Sequence, residues 1–125
     1  MASWTHDELA KIDAADELEL ATLRQDGTLR KPVTIWVVRV GDDLYVRAVG
    51  GATGAWFRHA QERHQGHIDA GGVSKDVTLL EANGDTREAI DAAYRSKYRS
   101  YAARFVDPTV TPQAQAATLR LVPWS

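Results

Sequence analysis

Turn signals separate short strand-like runs along most of this chain, and their spacing constrains the fold more than any other feature. Asp26-Gly27 supplies the positive-φ residue that a tight antiparallel hairpin needs. Residues 41–43 (GDD) form a second turn, and Gly71-Gly72 separates two further runs. The runs between these turns either alternate or are continuously apolar, as strands do. About six short strands joined in this way favour a small antiparallel barrel, because closure removes exposed sheet edges.

About three helices are predicted to flank these strands. Thr5 and Glu8 have the spacing of a capping box, which predicts a helix from about residue 6 to residue 15. A short helix is expected over residues 54–63, and Asp85 is expected to cap a longer one. We expect residues 106–115 to be irregular before a last strand. The order of elements predicts an α+β fold that is mainly β.

Length and composition limit the class of protein. At 125 residues the chain suits a single domain, residues 1–125, with one core. It has no cysteine, which excludes a disulfide framework and a thiolate nucleophile and suits the cytoplasm. Its longest apolar run, residues 32–38, is far below the ~20 residues of a membrane span, so we expect no membrane association. The net charge of −2 argues against nucleic-acid binding.

Basic residues concentrate between residues 24 and 63, whereas acidic residues predominate elsewhere. Arg30 follows a predicted hairpin, Arg47 ends the third predicted strand just before Gly50-Gly51, and Arg58 lies early in the next helix. A helix N-terminus offers unpaired N–H groups, so glycines and arginines that converge there form a plausible phosphate site. Solvated arginines beside a glycine-rich turn are the alternative, and short glycine motifs alone favour that alternative.

The aromatic residues and histidines have ordinary structural explanations. Trp36 and Trp56 are expected in the core, as most such residues are. Residues 94–101 carry a stripe of tyrosines and a lysine where a core helix would have Leu or Ile. That stripe predicts contact with a polar pocket, another subunit or solvent, and a half-exposed packing helix explains it slightly better. His64 and His67 lie three residues apart, which on a strand means opposite faces, so no metal site is predicted.

Three segments together resemble a known superfamily. Residues 23–51 (LRQDGTLRKPVTIWVVRVGDDLYVRAVGG) resemble the opening three-stranded meander of the split-barrel flavin-binding proteins, which include pyridoxamine-phosphate-oxidase-like enzymes and deazaflavin-dependent nitroreductases. Residues 50–60 (GGATGAWFRHA) are similar to the Gly-Gly, Trp-Tyr, His-Asn stretch of the nitroreductase branch, and residues 117–123 (ATLRLVP) resemble its terminal strand. Residues 3–124 as a whole resemble the small bacterial family called domain of unknown function 2255.

The resemblance implies a six-stranded antiparallel split β-barrel that forms a homodimer and binds flavin mononucleotide (FMN) or a deazaflavin near the subunit interface. Carried over from the superfamily, the residues on the phosphate side are Arg30, Lys31, Arg47, Gly50, Gly51, Thr53 and Arg58, with Trp36 and Trp56 near the ring system. A segment with a loose likeness to a tyrosine-rich part of the nitroreductases makes Tyr94, Tyr98 and Tyr101 candidate site residues, and Tyr98 and Tyr101 are the candidate catalytic proton donors.

These observations support one leading interpretation and two alternatives. The first is an oxidoreductase that uses FMN or deazaflavin to transfer a hydride to a small organic acceptor. The second keeps the barrel but has no redox cofactor, as a small-molecule-binding protein or a cofactor-free isomerase or cyclase. The main support for this second interpretation is the segment ATGA at residues 52–55, because nitroreductases usually have a lysine there. The third is an interaction module, which predicts no deep pocket beside Arg47 and Trp36.

Overall fold

The computed structural model describes residues 3–82 and 84–124. Within them, one antiparallel sheet contains seven strands: β1 (Glu17–Thr22), β2 (Val33–Trp36), β3 (Val38–Val40), β4 (Asp43–Arg47), β5 (Gln65–Ala70), β6 (Val73–Glu81) and β7 (Thr118–Pro123). Five α-helices accompany the sheet: α1 (His6–Ala14), α2 (Ala55–Arg63), α3 (Arg87–Lys97), α4 (Ala103–Val106) and α5 (Pro112–Ala116). Short 3-10 turns lie at Gly84–Thr86 and Asp107–Val110. The fold is therefore α+β and mainly β, as predicted.

A break at Val37 explains how the sheet curls into a nearly closed barrel. The strand order is β2-β1-β5-β6-β7-β4-β3, so β2 and β3 lie at its two ends although only Val37 separates them in sequence. β2 pairs with β1, while β3 pairs with β4. The sequence predicts one strand here, and the structure has two, which corrects the strand count from six to seven. A continuous apolar run contains no signal of where the backbone changes partner.

Side chains of α3 satisfy the backbone at this break. The Val37 N–H donates to the Tyr98 hydroxyl oxygen at 3.1 Å, and the Lys97 ammonium donates to the Val37 carbonyl at 2.7 Å. Buried backbone groups that leave a β-ladder need other partners, and these two side chains provide them. Burial lowers the pKa of Lys97. The C-terminal end of α3 is thus fastened to the point where the barrel closes.

Two hydrophobic clusters stabilise the barrel and its helices. The larger one joins residues of the sheet to α1 and α2, including Leu9, Ile12, Leu20, Phe57 and Leu119. The smaller one packs α3 and α4 against β3 and β4; it consists of Val38, Tyr45, Ile90, Tyr94, Tyr98 and Val106. This second cluster places the tyrosine stripe of α3 against the sheet.

The helix predictions are confirmed at the N-terminus and corrected after β6. At the start of α1, the Glu8 N–H donates to the Thr5 hydroxyl and the Thr5 N–H to the Glu8 carboxylate, which confirms the capping box. Thr86, not Asp85, occupies the N-cap position of α3, after a 3-10 turn. The segment expected to be irregular contains the last residue of α4, a 3-10 turn and most of α5. Pro112 at the first position of α5 is a helix-start signal that was available.

Candidate functional site

A cavity of about 420 Å³ opens where β2, the end of β4 with the loop after it, and four helical segments meet. It is lined by Thr34, Ile35, Trp36, Arg47, Val49, Gly50, Trp56, Tyr94, Phe105 and Thr109. The structure therefore brings together Trp36, Arg47, Gly50 and Trp56 from the predicted cofactor-binding set. Its wall is largely aromatic and aliphatic, which suits a planar organic ring.

The two tryptophans are the main aromatic surfaces of the cavity. Trp36 stacks on Tyr98 with ring centroids 3.8 Å apart and an interplanar angle of 4°. Trp56 meets Phe57 edge-on at 6.0 Å. Both tryptophans are half-buried, so each is held by packing and still offers part of its ring to the cavity. Aromatic rings fixed in this way can stack against a planar ligand at little entropic cost.

Arg47 has a structural role that its sequence position did not reveal. Its side chain is 1% exposed and forms a salt bridge with Asp91 of α3. The guanidinium also donates to the Thr118 hydroxyl at 2.9 Å and to the Thr109 carbonyl at 2.9 Å. These partners already neutralise its charge and use its donors. The guanidinium thus holds α3 and the 3-10 turn after α4 to β4, and a phosphate-binding role for Arg47 stays a prediction.

The loop after β4 also has a structural explanation. Gly51 has φ of 78°, and a Cβ atom there would lie 2.4 Å from the Gln113 side chain. The Gln113 amide donates to the Gly50 carbonyl at 2.8 Å and closes the loop. Glycine is therefore required at residue 51 by backbone conformation and packing. Gly50 has open space around it and lines the cavity, so it is the better probe of ligand approach.

The remaining predicted phosphate-binding residues lie away from this cavity within one chain. Lys31, Thr53 and Arg58 are exposed, and Arg30 is half-buried with an Nε atom that has no hydrogen-bond partner among the described residues. They are absent from the lining of the cavity. Of the three predicted arginines, Arg47 lines the described cavity and Arg30 and Arg58 do not, and the binding roles of these four residues stay predictions.

Tyr98 and Tyr101 face a different environment from the one expected of catalytic residues. The buried Tyr98 hydroxyl donates to the Asp16 carbonyl at 2.6 Å, besides accepting from Val37. Its pKa is raised by burial. The Tyr101 hydroxyl donates to the Asp16 carboxylate at 2.9 Å, which raises the pKa of Tyr101. Neither residue lines the cavity. The geometry assigns both to the support of the closure point, and a proton-donor role stays untested.

Tyr94 and Phe105 line the cavity but were not among the predicted cofactor-binding residues. Tyr94 is 1% exposed and lines the cavity, and its hydroxyl has no hydrogen-bond partner among the described residues. Burial raises its pKa. The tyrosine stripe was the signal, but a stripe does not say which of its members reaches a cavity. Phe105 is 51% exposed at the cavity and lies in α4, just before the segment that was expected to be irregular.

The histidines are placed apart. His67 lies on β5, where its ring nitrogens contact the Asp76 carboxylate at 2.9 Å and the Ser74 hydroxyl at 2.8 Å on the paired strand β6. His64 ends α2 in the left-handed conformation, with φ of 55°. In the described part of the chain, no group of three or more histidine or carboxylate side chains is arranged to hold a metal ion.

Comparison with known protein families identifies the family of this chain. The family described as "Uncharacterized protein conserved in bacteria (DUF2255)" matches residues 8–121. The chain belongs to the DUF2255 family. This membership confirms the resemblance drawn from the sequence. No functionally curated protein matches this DUF2255 member.

Solved structures support the split-barrel fold of this DUF2255 member. A structure of an F420-H2-dependent reductase, FDR-A, is 15% identical with a TM-score of 0.65 and covers 85% of this chain and 93% of its own. A Listeria innocua protein provisionally named a pyridoxamine 5'-phosphate oxidase is 12% identical, with a TM-score of 0.66 and coverage of 94% and 90%. HutZ, the haem storage protein of Vibrio cholerae, is 15% identical, with a TM-score of 0.65 and coverage of 96% and 90%.

At these identities the likeness shows a shared fold alone. It does not select one activity, because the relatives differ among themselves. In the chain segments that the structure describes, every helix is too short or too polar to cross a bilayer.

Proposed function

We propose that this protein binds the ring of FMN or of a deazaflavin in the cavity between Trp36 and Trp56 and acts as an oxidoreductase on a small organic molecule. The observation that carries the proposal is that aromatic-walled cavity of about 420 Å³. The cavity lies in a fold that this chain shares with an F420-H2-dependent reductase. When bound, the reduced cofactor would supply a hydride to the acceptor, and solvent would supply the accompanying proton.

The residues that line the cavity fit a ring better than they fit a phosphate. Trp36 and Trp56 offer aromatic faces, while Ile35, Val49 and Phe105 exclude water from the ring edge. Arg47 is the cation among the lining residues that the structure describes, and Asp91 neutralises it. We therefore place the ring inside and the phosphate at the cavity mouth or beyond, where a second subunit contributes.

A homodimer supplies that second subunit in our proposal. Val49 is 50% exposed and Phe105 is 51% exposed, and both lie at the cavity. One protein with the same fold, 16% identical with a TM-score of 0.63 and coverage of 86% of this chain and 79% of its own, is described as a domain-swapped dimer. We propose that the partner covers these apolar side chains. Arg30, Lys31, Thr53 and Arg58 are then the candidates for holding the phosphate at the joint mouth.

A titration with matched tryptophan variants tests cofactor binding. FMN and F420 are added to pure protein while tryptophan and ligand fluorescence are recorded. We expect saturable binding, which Trp56→Leu weakens about tenfold because a stacking surface is lost. The control is Trp124→Leu, since Trp124 is exposed outside the cavity. No binding of either ligand up to about millimolar concentration, or equal effects of the two substitutions, would contradict the proposal.

A cofactor-free binding protein, isomerase or cyclase that uses the same cavity is the second candidate. The pairing of Arg47 with Asp91 favours it, because the cavity then has no free positive charge among its described lining residues. The segment ATGA at residues 52–55, in place of a lysine, points the same way. Binding of neutral aromatic compounds by a colourless preparation that rejects both FMN and F420 would favour this second candidate.

A further inference from the structure

The hydroxyl of Tyr94 is buried and unpaired beside the cavity. Tyr94 is 1% exposed, and its oxygen has no hydrogen-bond partner among the described residues. Buried hydroxyls in folded proteins are nearly always hydrogen-bonded, because desolvation without a partner costs free energy. A group of this kind in the lining of a cavity indicates a partner that arrives with a ligand.

The surroundings of Tyr94 make that hydroxyl a donor. The Arg47 guanidinium carbon lies 5.5 Å from the centroid of the Tyr94 ring, and Arg47 is itself paired with Asp91. Burial raises the pKa of Tyr94 more than the Arg47 guanidinium and the Arg47 backbone N–H lower it, so the phenol keeps its proton at neutral pH. A protonated phenol with no acceptor in the protein can donate one hydrogen bond to a ligand atom.

The same surroundings limit the charge of the ligand. An anion in this cavity would lose its hydration and meet no free cation among the described lining residues. An uncharged ring loses little hydration and gains contact with Trp36 and Trp56. The geometry points to a specific ligand class: the cavity takes an uncharged planar ring with an acceptor oxygen or nitrogen at its edge, and Tyr94 Oη donates to that atom. This inference rests on the proposed function and specifies the class of ligand that the cavity binds.

Tyr98 is an internal control for this inference. It lies on the same side of α3 one turn later, and its hydroxyl is already engaged with Asp16 and Val37. Removal of the Tyr94 hydroxyl should leave the melting temperature of the free protein nearly unchanged or raise it, because the hydroxyl hydrogen has no acceptor among the described residues. Removal of the Tyr98 hydroxyl should lower it, because the backbone at the barrel closure loses its partner.

The experiment uses a pair of ligands that differ only in the acceptor. Menadione is a neutral naphthoquinone, and 2-methylnaphthalene is the same ring system without the two carbonyls. The chain has no cysteine that the quinone would alkylate. Wild-type protein, Tyr94→Phe and Tyr98→Phe are titrated with both, and lumiflavin serves as the flavin ring without its phosphate. Melting temperatures are measured without ligand.

We expect Tyr94→Phe to weaken menadione and lumiflavin binding about tenfold and to leave 2-methylnaphthalene binding unchanged. Tyr98→Phe should lower the melting temperature without a selective effect on the carbonyl ligands. Equal affinities of wild type and Tyr94→Phe for menadione would overturn the inference. A fall in melting temperature for Tyr94→Phe as large as for Tyr98→Phe would overturn it too, since the hydroxyl would then have a partner in the free protein.

Further outcomes separate this inference from the proposed function. Tyr94-dependent binding of menadione with no binding of FMN, F420 or lumiflavin would contradict the redox proposal and support the inference. Binding of FMN and lumiflavin with no dependence on Tyr94 would support the redox proposal and contradict the inference. Wild-type protein that binds none of these ligands would contradict both.

Discussion

Arg47 has the sequence context of a ligand-binding residue, but its contacts in the structure stabilise the fold. It follows a buried strand and precedes two glycines, a setting in which arginines often hold phosphates. In the structure its side chain is 1% exposed and its charge is matched by Asp91, whose side chain is 15% exposed. Bonds to Thr109 and Thr118 fix it further. Residue type and sequence neighbours do not distinguish a ligand-binding arginine from a buried paired one.

Arg47→Met should therefore act on stability. The substitution leaves the mostly buried Asp91 carboxylate without its cation, which typically costs about 3–5 kcal/mol in the free energy of unfolding. Urea denaturation measures this cost. The control Arg58→Met, at an exposed position, should change the free energy by no more than about 0.5 kcal/mol. A loss below about 1 kcal/mol for Arg47→Met, together with lost binding of FMN, would restore a ligand role to Arg47.

At the scale of elements, α1 and α3 are both fastened by specific polar contacts. α3 is held to the Val37 break by Lys97 and Tyr98. α1 begins with the capping box of Thr5 and Glu8, and Glu8 also forms a salt bridge with Lys75 of β6. The hydrogen bond with Lys75, together with the backbone bond from Thr5, lowers the pKa of Glu8 below 4.5. One carboxylate thus caps the helix and ties it to the sheet.

The lowered pKa of Glu8 predicts a pH dependence of stability. A carboxyl whose pKa is lower in the folded than in the unfolded protein stabilises the fold above the unfolded pKa, and this contribution is lost as pH falls through the folded pKa. The free energy of unfolding should therefore fall from pH ~5 to pH ~3 more steeply in wild type than in Glu8→Gln. Asp7→Asn, at an exposed position in the same helical turn, is the control. Equal slopes for wild type and Glu8→Gln would contradict the prediction.

At the scale of the whole molecule, the cavity is open on one side, and apolar side chains are exposed there. Val49 and Phe105 expose about half of their surface there, and the predicted basic residues lie outside the cavity lining. Exposed apolar side chains grouped at a cavity are typical of an interaction site. The proposed homodimer would bury them and complete the mouth in one step.

Phe105→Asp should shift the protein towards monomer and weaken FMN binding together. A charge buried in an apolar contact without a partner disfavours association. Sedimentation velocity at several concentrations measures the first effect, and FMN titration measures the second. Leu29→Asp replaces another exposed apolar residue, outside this cavity, and should change neither. A wild-type protein that sediments as a monomer at all concentrations would remove the dimer from the proposal.

Turns, caps and strand periodicity were readable from the sequence because they depend on residues a few positions apart. Turn signals such as Asp26-Gly27 and Gly71-Gly72, between short strand-like runs, predicted an antiparallel barrel, and the spacing of Thr5 and Glu8 predicted the first helix. Trp36, Arg47, Gly50 and Trp56, grouped through the family resemblance, line one cavity in the structure, and their binding roles stay predictions.

Features that depend on contacts between distant parts of the chain were decided by the tertiary structure alone. The apolar run around Val37 has no local feature that marks its change of partner from β1 to β4. Arg47 finds Asp91 far along the chain, and only packing decides that the Tyr98 hydroxyl is used while that of Tyr94 is left free. Backbone preferences act within a few residues, whereas strand partners and charge compensation depend on which distant segments the fold brings into contact.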